Sequence, residues 1–284
     1  MRYRSLLTIA FDSSSRLSTK THYFQYRGIS FKLIQDNPRK WADHLLTIVE
    51  SEEARILAFR AAAEFLSALA WENHSRVALW DAGHRSWPEP WSLKIARPCM
   101  FSFPKINFGG TITGYGISRL PHIENEAQRT ALALFREARA SNNDYLKFSF
   151  NWQVLEVVGG QPVGFINKTF RRNLAKLHIR DEDLSKLPLD GRTLGDYLLD
   201  DCRHAIAHLK RKPGQTKLDV DDPVDRIRLA HSVRVVEAFA EYFIRENLKL
   251  NKAVFLCQLK RGAIPTYLGS ADARGRFISS GMGG

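Results

Sequence analysis

The side chains best suited to chemistry are concentrated in one stretch, Asp200-Asp201-Cys202-Arg203-His204-Ala205-Ile206-Ala207-His208-Leu209-Lys210. On an α-helix, at about 100° per residue, Asp201, His204 and His208 fall on one face. Arg203 and His208 stand about 140° apart around the axis but only about 7.5 Å apart along it, a gap that a long arginine side chain spans. An imidazole, with an ordinary pKa of about 6.5, exchanges protons near neutral pH, whereas a guanidinium stays charged and grips phosphate through a fork of N–H donors. RNA cleavage without a metal requires those two parts: a base for the 2′-hydroxyl proton, and a fixed cation for the charge developing on the non-bridging phosphate oxygens. His208 suits the base and Arg203 the cation, with His204 positioning the phosphate. The short Ala205 and Ala207 leave the groove open to a backbone, and Lys210, Arg211, Lys212 and Lys217 follow as residues to hold the strand.

The same atoms permit other uses. His204-x3-His208 has the spacing of zinc ligands on a helix, and Asp201 or His231 supplies a third ligand. That makes a metal-dependent hydrolase one alternative, although Ala205 stands where the glutamate of an H-E-x-x-H motif would act as base. Asp201 and Arg203 also fit ordinary exposed helical ion pairs, worth a few tenths of a kcal/mol. Cys202, among leucines, reads as a small core residue. The other histidines, His22, His44, His74, His84, His122 and His178, form no pattern. Gly109-Gly110 and Gly114-x-Gly116 lack the helix that a dinucleotide fingerprint needs and read as hairpin turns, so no cofactor is expected.

The elements that must hold this stretch are helices. From Glu124 to about 250, helical patterns cover 124–140, 143–158, 162–177, 193–210 and 221–248, separated by Ser141-Asn142-Asn143, Gly159-Gly160, the turn from Pro188 to Gly191, and Pro213-Gly214. Thr193 is placed to cap the fourth, whose buried side is expected to carry Leu194, Leu198, Leu199, Cys202, Ala205, Ile206 and Leu209. Residues 1–120 differ. Leu6 to Phe11 is strand-like, and Tyr23 to Tyr26 and Ile29 to Ile34 flank Arg27-Gly28 as a hairpin. A helix from Glu52 to Trp71 is expected to cover that sheet with Ile56, Leu57, Phe59, Ala63, Phe65, Leu66, Leu69 and Ala70. Short strands are expected again at Arg76 to Trp80, Ser92 to Ala96 and within Phe101 to Ile117. Trp71, Trp80, Trp87, Trp91, Phe101 and Phe103 read mostly as core. The tail, Ala253 to Leu259 and Ile264 to Leu268, suggests a second hairpin returning to the first sheet, with a loose Ser/Gly-rich end.

The reading is therefore α+β: a mixed α/β region with a small antiparallel sheet (1–120), an all-α bundle (121–250), and a carboxy-terminal hairpin and flexible tail (251–284). The 284 residues, 44% hydrophobic, suffice for real cores and exclude fibrous or wholly disordered classes. Three cysteines without a C-x-x-C indicate neither a disulfide framework nor a zinc ribbon, and no segment reads as a membrane span or signal peptide, so a cytoplasmic location is expected. The net charge is +12, and the five basic residues Arg203, Lys210, Arg211, Lys212 and Lys217 meet no acid between them, as phosphate-binding patches do.

Arg203-His204-Ala205-Ile206-Ala207-His208 resembles the R-x4-H signature of the HEPN superfamily, in which the second position is polar, as His204 is. The resemblance extends over roughly 124–250, and the wording RHAIAH is similar to the HEPN-like group of methylamine-utilisation (MauJ-like) proteins. It implies a helical bundle that works as a metal-independent endoribonuclease, dimeric through the motif helices. Arg203 and His208 would be its catalytic pair, His204 the orienting residue, and Asp200 or Asp201 the nearby acid. Members of that superfamily include toxins and antiviral effectors, with antitoxin or defence-system partners, and also inactive RNA-binding or protein-docking modules, which make the other alternative.

Overall fold

The computed structural model describes residues 5–14, 16–17, 21–35, 43–79, 113–115, 119–207, 218–219, 221–250, 253–255 and 257–258. Its fold is α+β. The chain divides into two compact units, one formed by 1–120 with 253–284 and the other by 121–252.

In the first unit, β1 (Ser5–Ser13), β3 (Thr21–Tyr26), β4 (Ile29–Ile34), β5 (Asp43–Val49), β6 (Val77–Leu79) and β10 (Cys257–Gln258) form an antiparallel sheet in the order β10-β3-β4-β5-β1-β6. Strand β2 (Arg16–Leu17) runs parallel to β7 (Thr113–Tyr115), and β8 (Arg119–Pro121) pairs with β9 (Ala253–Phe255). Arg27 and Gly28 both take positive φ, 51° and 75°, the backbone of a two-residue hairpin turn whose twist matches its strands. The tail returns as expected: Cys257 and Gln258 pair with Gln25 and Phe24 of β3, so that β10 forms the edge of the sheet. The expected strands at Ser92 to Ala96 and Ile264 to Leu268, with Trp80, Trp87, Trp91, Phe101 and Phe103, lie outside the described residues.

Strand pairing places Phe24 opposite Phe31 and sets Leu33 and Ile9 on either side of Leu45, so these residues share one face. Helix α1 (Glu52–Glu72) covers it, capped by Ser51, whose hydroxyl accepts the Ala54 N–H at 3.1 Å. Phe65 on α1 stacks on Phe24 with 4.5 Å between ring centroids. The buried stripe is Ala58, Ala61, Ala62, Phe65, Leu66 and Leu69, whereas Ile56 and Leu57 are 46% and 59% exposed. Phe65, Leu66, Leu69 and Ala70 are buried as expected, but in the first turns the face differs: small Ala58, Ala61 and Ala62 let the backbone approach the sheet and leave Ile56 and Leu57 outside. Strand β5 is a further element; its nearly continuous burial gives no alternation to read.

The second unit is helical: α2 (Glu126–Ala140), α3 (Asp144–Glu156), α4 (Pro162–Asn173), the short α5 (Asp181–Ser185), a helical stretch over 194–207, and α8 (Pro223–Tyr242). Asn125, Asn143 and Asp222 cap α2, α3 and α8 through side-chain oxygens. Leu132, Phe135, Phe148, Trp152, Leu155, Ile166, Val236 and Phe239 fill the core. Phe165 meets Phe243 edge-on at 5.2 Å. No helix among the described residues is long and apolar enough to cross a membrane.

Phe65→Ala is expected to cost about 3–5 kcal/mol of stability in the first unit, read from the midpoint of urea unfolding followed by hydrogen exchange of β3 and β4.

Candidate functional site

The stretch that carries the chemistry is anchored at its start by α4. Thr193 caps it, its Oγ1 accepting from the Asp196 N–H at 3.3 Å and from Asn167 Nδ2 at 2.8 Å, while Asn167 Oδ1 accepts the Gly195 N–H at 2.8 Å. A Cβ on Gly195 would stand 2.8 Å from the Val163 carbonyl oxygen, so the close crossing of α4 requires glycine there.

The stretch is not one straight α-helix. It runs as α6 (Leu194–Tyr197), a π turn over Leu198–Arg203, and α7 (His204–Ala207). In the turn the His204 N–H reaches the Leu199 carbonyl, five residues back. Leu194, Tyr197, Leu198 and Cys202 are buried, but Leu199, Ala205 and Ile206, expected on the buried side, are only half-buried.

The extra residue in the turn separates side chains that a straight helix would align. Asp201 is buried, and Arg192 grips its carboxylate with two N–H donors, Nη1 to Oδ1 at 3.0 Å and Nη2 to Oδ2 at 2.8 Å. Arg228 of α8 brings Nη1 to 3.9 Å from Oδ2. His204 instead lies 42% exposed, with Nδ1 3.4 Å from Asp200 Oδ1. The expected common face of Asp201 and His204 therefore does not form. Asp201 is withdrawn from the open side where a catalytic part was expected of it, and Asp200 is the acid beside the imidazole. Arg203, at the end of the π turn, is half-buried, and no hydrogen bond or ion pair to it is found among the described residues.

Cys202 is a core residue. Burial, only partly offset by hydrogen bonding with Ser232 and Tyr197, pushes its thiol up to about 11. The Tyr197 hydroxyl, 3.3 Å from Ser232 Oγ, is likewise raised by burial.

A second buried carboxylate holds α5. Asp183 accepts from Arg180 Nε, Arg234 Nη1 and His231 Nδ1, each at 2.8 Å. Burial opposes its ionisation, but the hydrogen bonds from Arg180, Arg234 and His231 prevail and hold the carboxyl well below the usual range. His231 and Asp201, the third ligands considered beside His204 and His208, are thus engaged with other partners. Among the described residues no three His, Cys, Asp or Glu side chains gather to hold a metal ion. His208, Lys210, Arg211, Lys212 and Lys217 lie outside the described residues. Sequence reasoning missed Arg192, Arg228 and Asp183, whose partnerships are tertiary and leave no local spacing to read.

The family model of methylamine utilization protein MauJ matches residues 131–245, from within α2 through α8, and so contains the whole motif stretch. The sequence likeness to MauJ-like proteins holds over that span. Nothing among the curated proteins and nothing among the solved structures matches the chain.

Asp183→Asn is expected to lower stability at pH 7 by about 1–2 kcal/mol. Because the folded carboxyl titrates below the ordinary value, the wild-type advantage is complete above an unfolded pKa of about 3.9 and shrinks as pH falls below it, as urea unfolding across pH 2–7 checks. Cys202 should resist iodoacetamide at pH 8 in the native protein and react in urea, resolved by peptide mass spectrometry.

Proposed function

We propose that the second unit is a metal-independent endoribonuclease of HEPN type. The observation that carries the reading is the contrast between Arg203 and the other arginines of the unit that are not fully exposed; Arg171, Arg172 and Arg226, which likewise show no carboxylate partner among the described residues, are exposed. Arg192 and Arg228 are committed to Asp201 and Asp225, and Arg180 and Arg234 to Asp183. Arg203, in the R-x4-H motif, has no such carboxylate partner among the described residues. A half-buried arginine with no counter-ion among the described residues favours an anion, and a phosphodiester offers oxygens for its planar fork.

In this reading His208 takes the proton of a 2′-hydroxyl, whose oxygen attacks the adjacent phosphorus. The bond from phosphorus to the 5′-oxygen breaks, and the His208 imidazolium gives up its proton to that oxygen, directly or through water, giving a 2′,3′-cyclic phosphate and a 5′-hydroxyl and restoring the neutral imidazole. Arg203 stabilises the charge on the non-bridging oxygens. His204, polarised by Asp200, orients the phosphate, and Lys210, Arg211, Lys212 and Lys217 attract the strand. The protein would act in the cytoplasm as a homodimer joined through the motif stretch.

The withdrawal of Asp201 from the open side favours a second reading, a module that binds RNA without cutting it. Incubation with RNA in EDTA separates the two. Fragments ending in 2′,3′-cyclic phosphate are expected, reduced about 10²–10³-fold in Arg203→Ala and about 10²–10⁴-fold in His208→Ala. Cleavage unchanged in both variants contradicts the nuclease, and salt-sensitive binding without fragments favours the module.

A further inference from the structure

A straight helix, counted at about 100° per residue from Leu194, would set Asp201 at about −20°, in the middle of the core face, with Cys202 at about 80° and His204 at about −80°. A turn bonded five residues back takes up one residue more than an α turn, so everything beyond it lags by about 100°, or about 20° per residue across Leu198–Arg203. Asp201 then moves to about −80°, Cys202 to about 0° and His204 to about 180°.

Two residues follow the second set of angles: Cys202 is buried in line with Leu194 and Leu198, and Ala205 is only half-buried. Ile206, which that set brings to about 20°, is itself half-buried, while the His204 side chain is 42% exposed and Ala207 is exposed. At the flank, Asp201 meets Arg192 from the preceding loop and Arg228 from α8. In the middle of the core face the same carboxylate would lie among Tyr197, Leu198 and the apolar side of α8, where an unpaired charge is strongly disfavoured. The π turn is therefore the geometry that lets this carboxylate reach its cations.

We infer that Asp201 is a positioning residue: its pairing with Arg192 and Arg228 holds the π turn, and the turn fixes the angular positions of Arg203 and His204. In this role Asp201 requires no contact with substrate. It acts through the helix, by setting which way the next turn faces.

Spin labels at Ala207→Cys and Gln153→Cys, both exposed, in a Cys99→Ser, Cys257→Ser background, report that phase by electron–electron distance in the full chain. Asp201→Leu keeps the length but removes the reason for the π turn. The helix should relax to α, the distance should shift by several ångström, and unfolding should stay cooperative. Deleting Leu199 removes the extra residue, so a straight helix reaches 203 and 204 in native phase and the distance should stay that of the parent. Combining the deletion with Asp201→Leu should restore the parent distance, which a merely stabilising role for Asp201 would not produce. A parent distance in Asp201→Leu, or a shifted one in the deletion, overturns the inference; should Asp201→Leu fail to fold, the deletion alone decides. RNA cleavage is expected to follow the distance, lost in Asp201→Leu and regained in the combination. That arm alone rests on the nuclease reading: a parent protein that cuts no RNA, with distances that behave as stated, removes the reading and leaves the positioning role.

Discussion

A carboxylate taken out of water costs several kcal/mol unless cations and hydrogen bonds replace its hydration. The second unit is arranged around meeting that demand at Asp201. Arg192 lies immediately before the Thr193 cap, so its two hydrogen bonds to Asp201 close the loop onto the motif stretch. Arg228 approaches the same carboxylate from α8, and one turn further along Ser232 meets the Tyr197 hydroxyl. The start of the motif, its preceding loop and the closing helix thus converge on one charged group. The widened turn is the backbone's accommodation to it.

Asp183 extends the pattern. Helix α5 has only five residues, too few to be stable by propensity, and its buried carboxylate ties it to His231 and Arg234 of α8 and to its own Arg180. Helix α8 therefore presents Arg228, His231 and Arg234 at helical spacing, Arg228 to Asp201 and to Asp225 on its own helix, His231 and Arg234 to Asp183. Arginines so engaged are poorly suited to binding a polyanion. Arg203, although it shares a chain segment with Asp201, has no carboxylate partner among the described residues.

Much of this architecture is legible in the sequence. Asn125, Asn143, Thr193 and Asp222 punctuate the bundle, and the Arg27-Gly28 hairpin follows from turn chemistry. Helix phase is less legible. On α1, alanines took the buried stripe that Ile56 and Leu57 were expected to share, because hydrophobicity alone does not say where close backbone approach is needed. In the motif, periodicity of 3.6 residues aligned Asp201 with His204, and only the tertiary pairing of Asp201 with Arg192 explains why that alignment breaks. The candidate residues are read from their types and spacing, whereas the phase of the stretch that carries them depends on a partner nine residues away whose role has no local signature.

The dependence of the motif on that pair is measured most directly by a double-mutant cycle of Asp201→Leu and Arg192→Met in urea unfolding. A coupling energy of at least about 1 kcal/mol, with the double variant more stable than Asp201→Leu and Arg192→Met in sum imply, is the predicted result. Additive losses, with coupling near zero, would contradict the account.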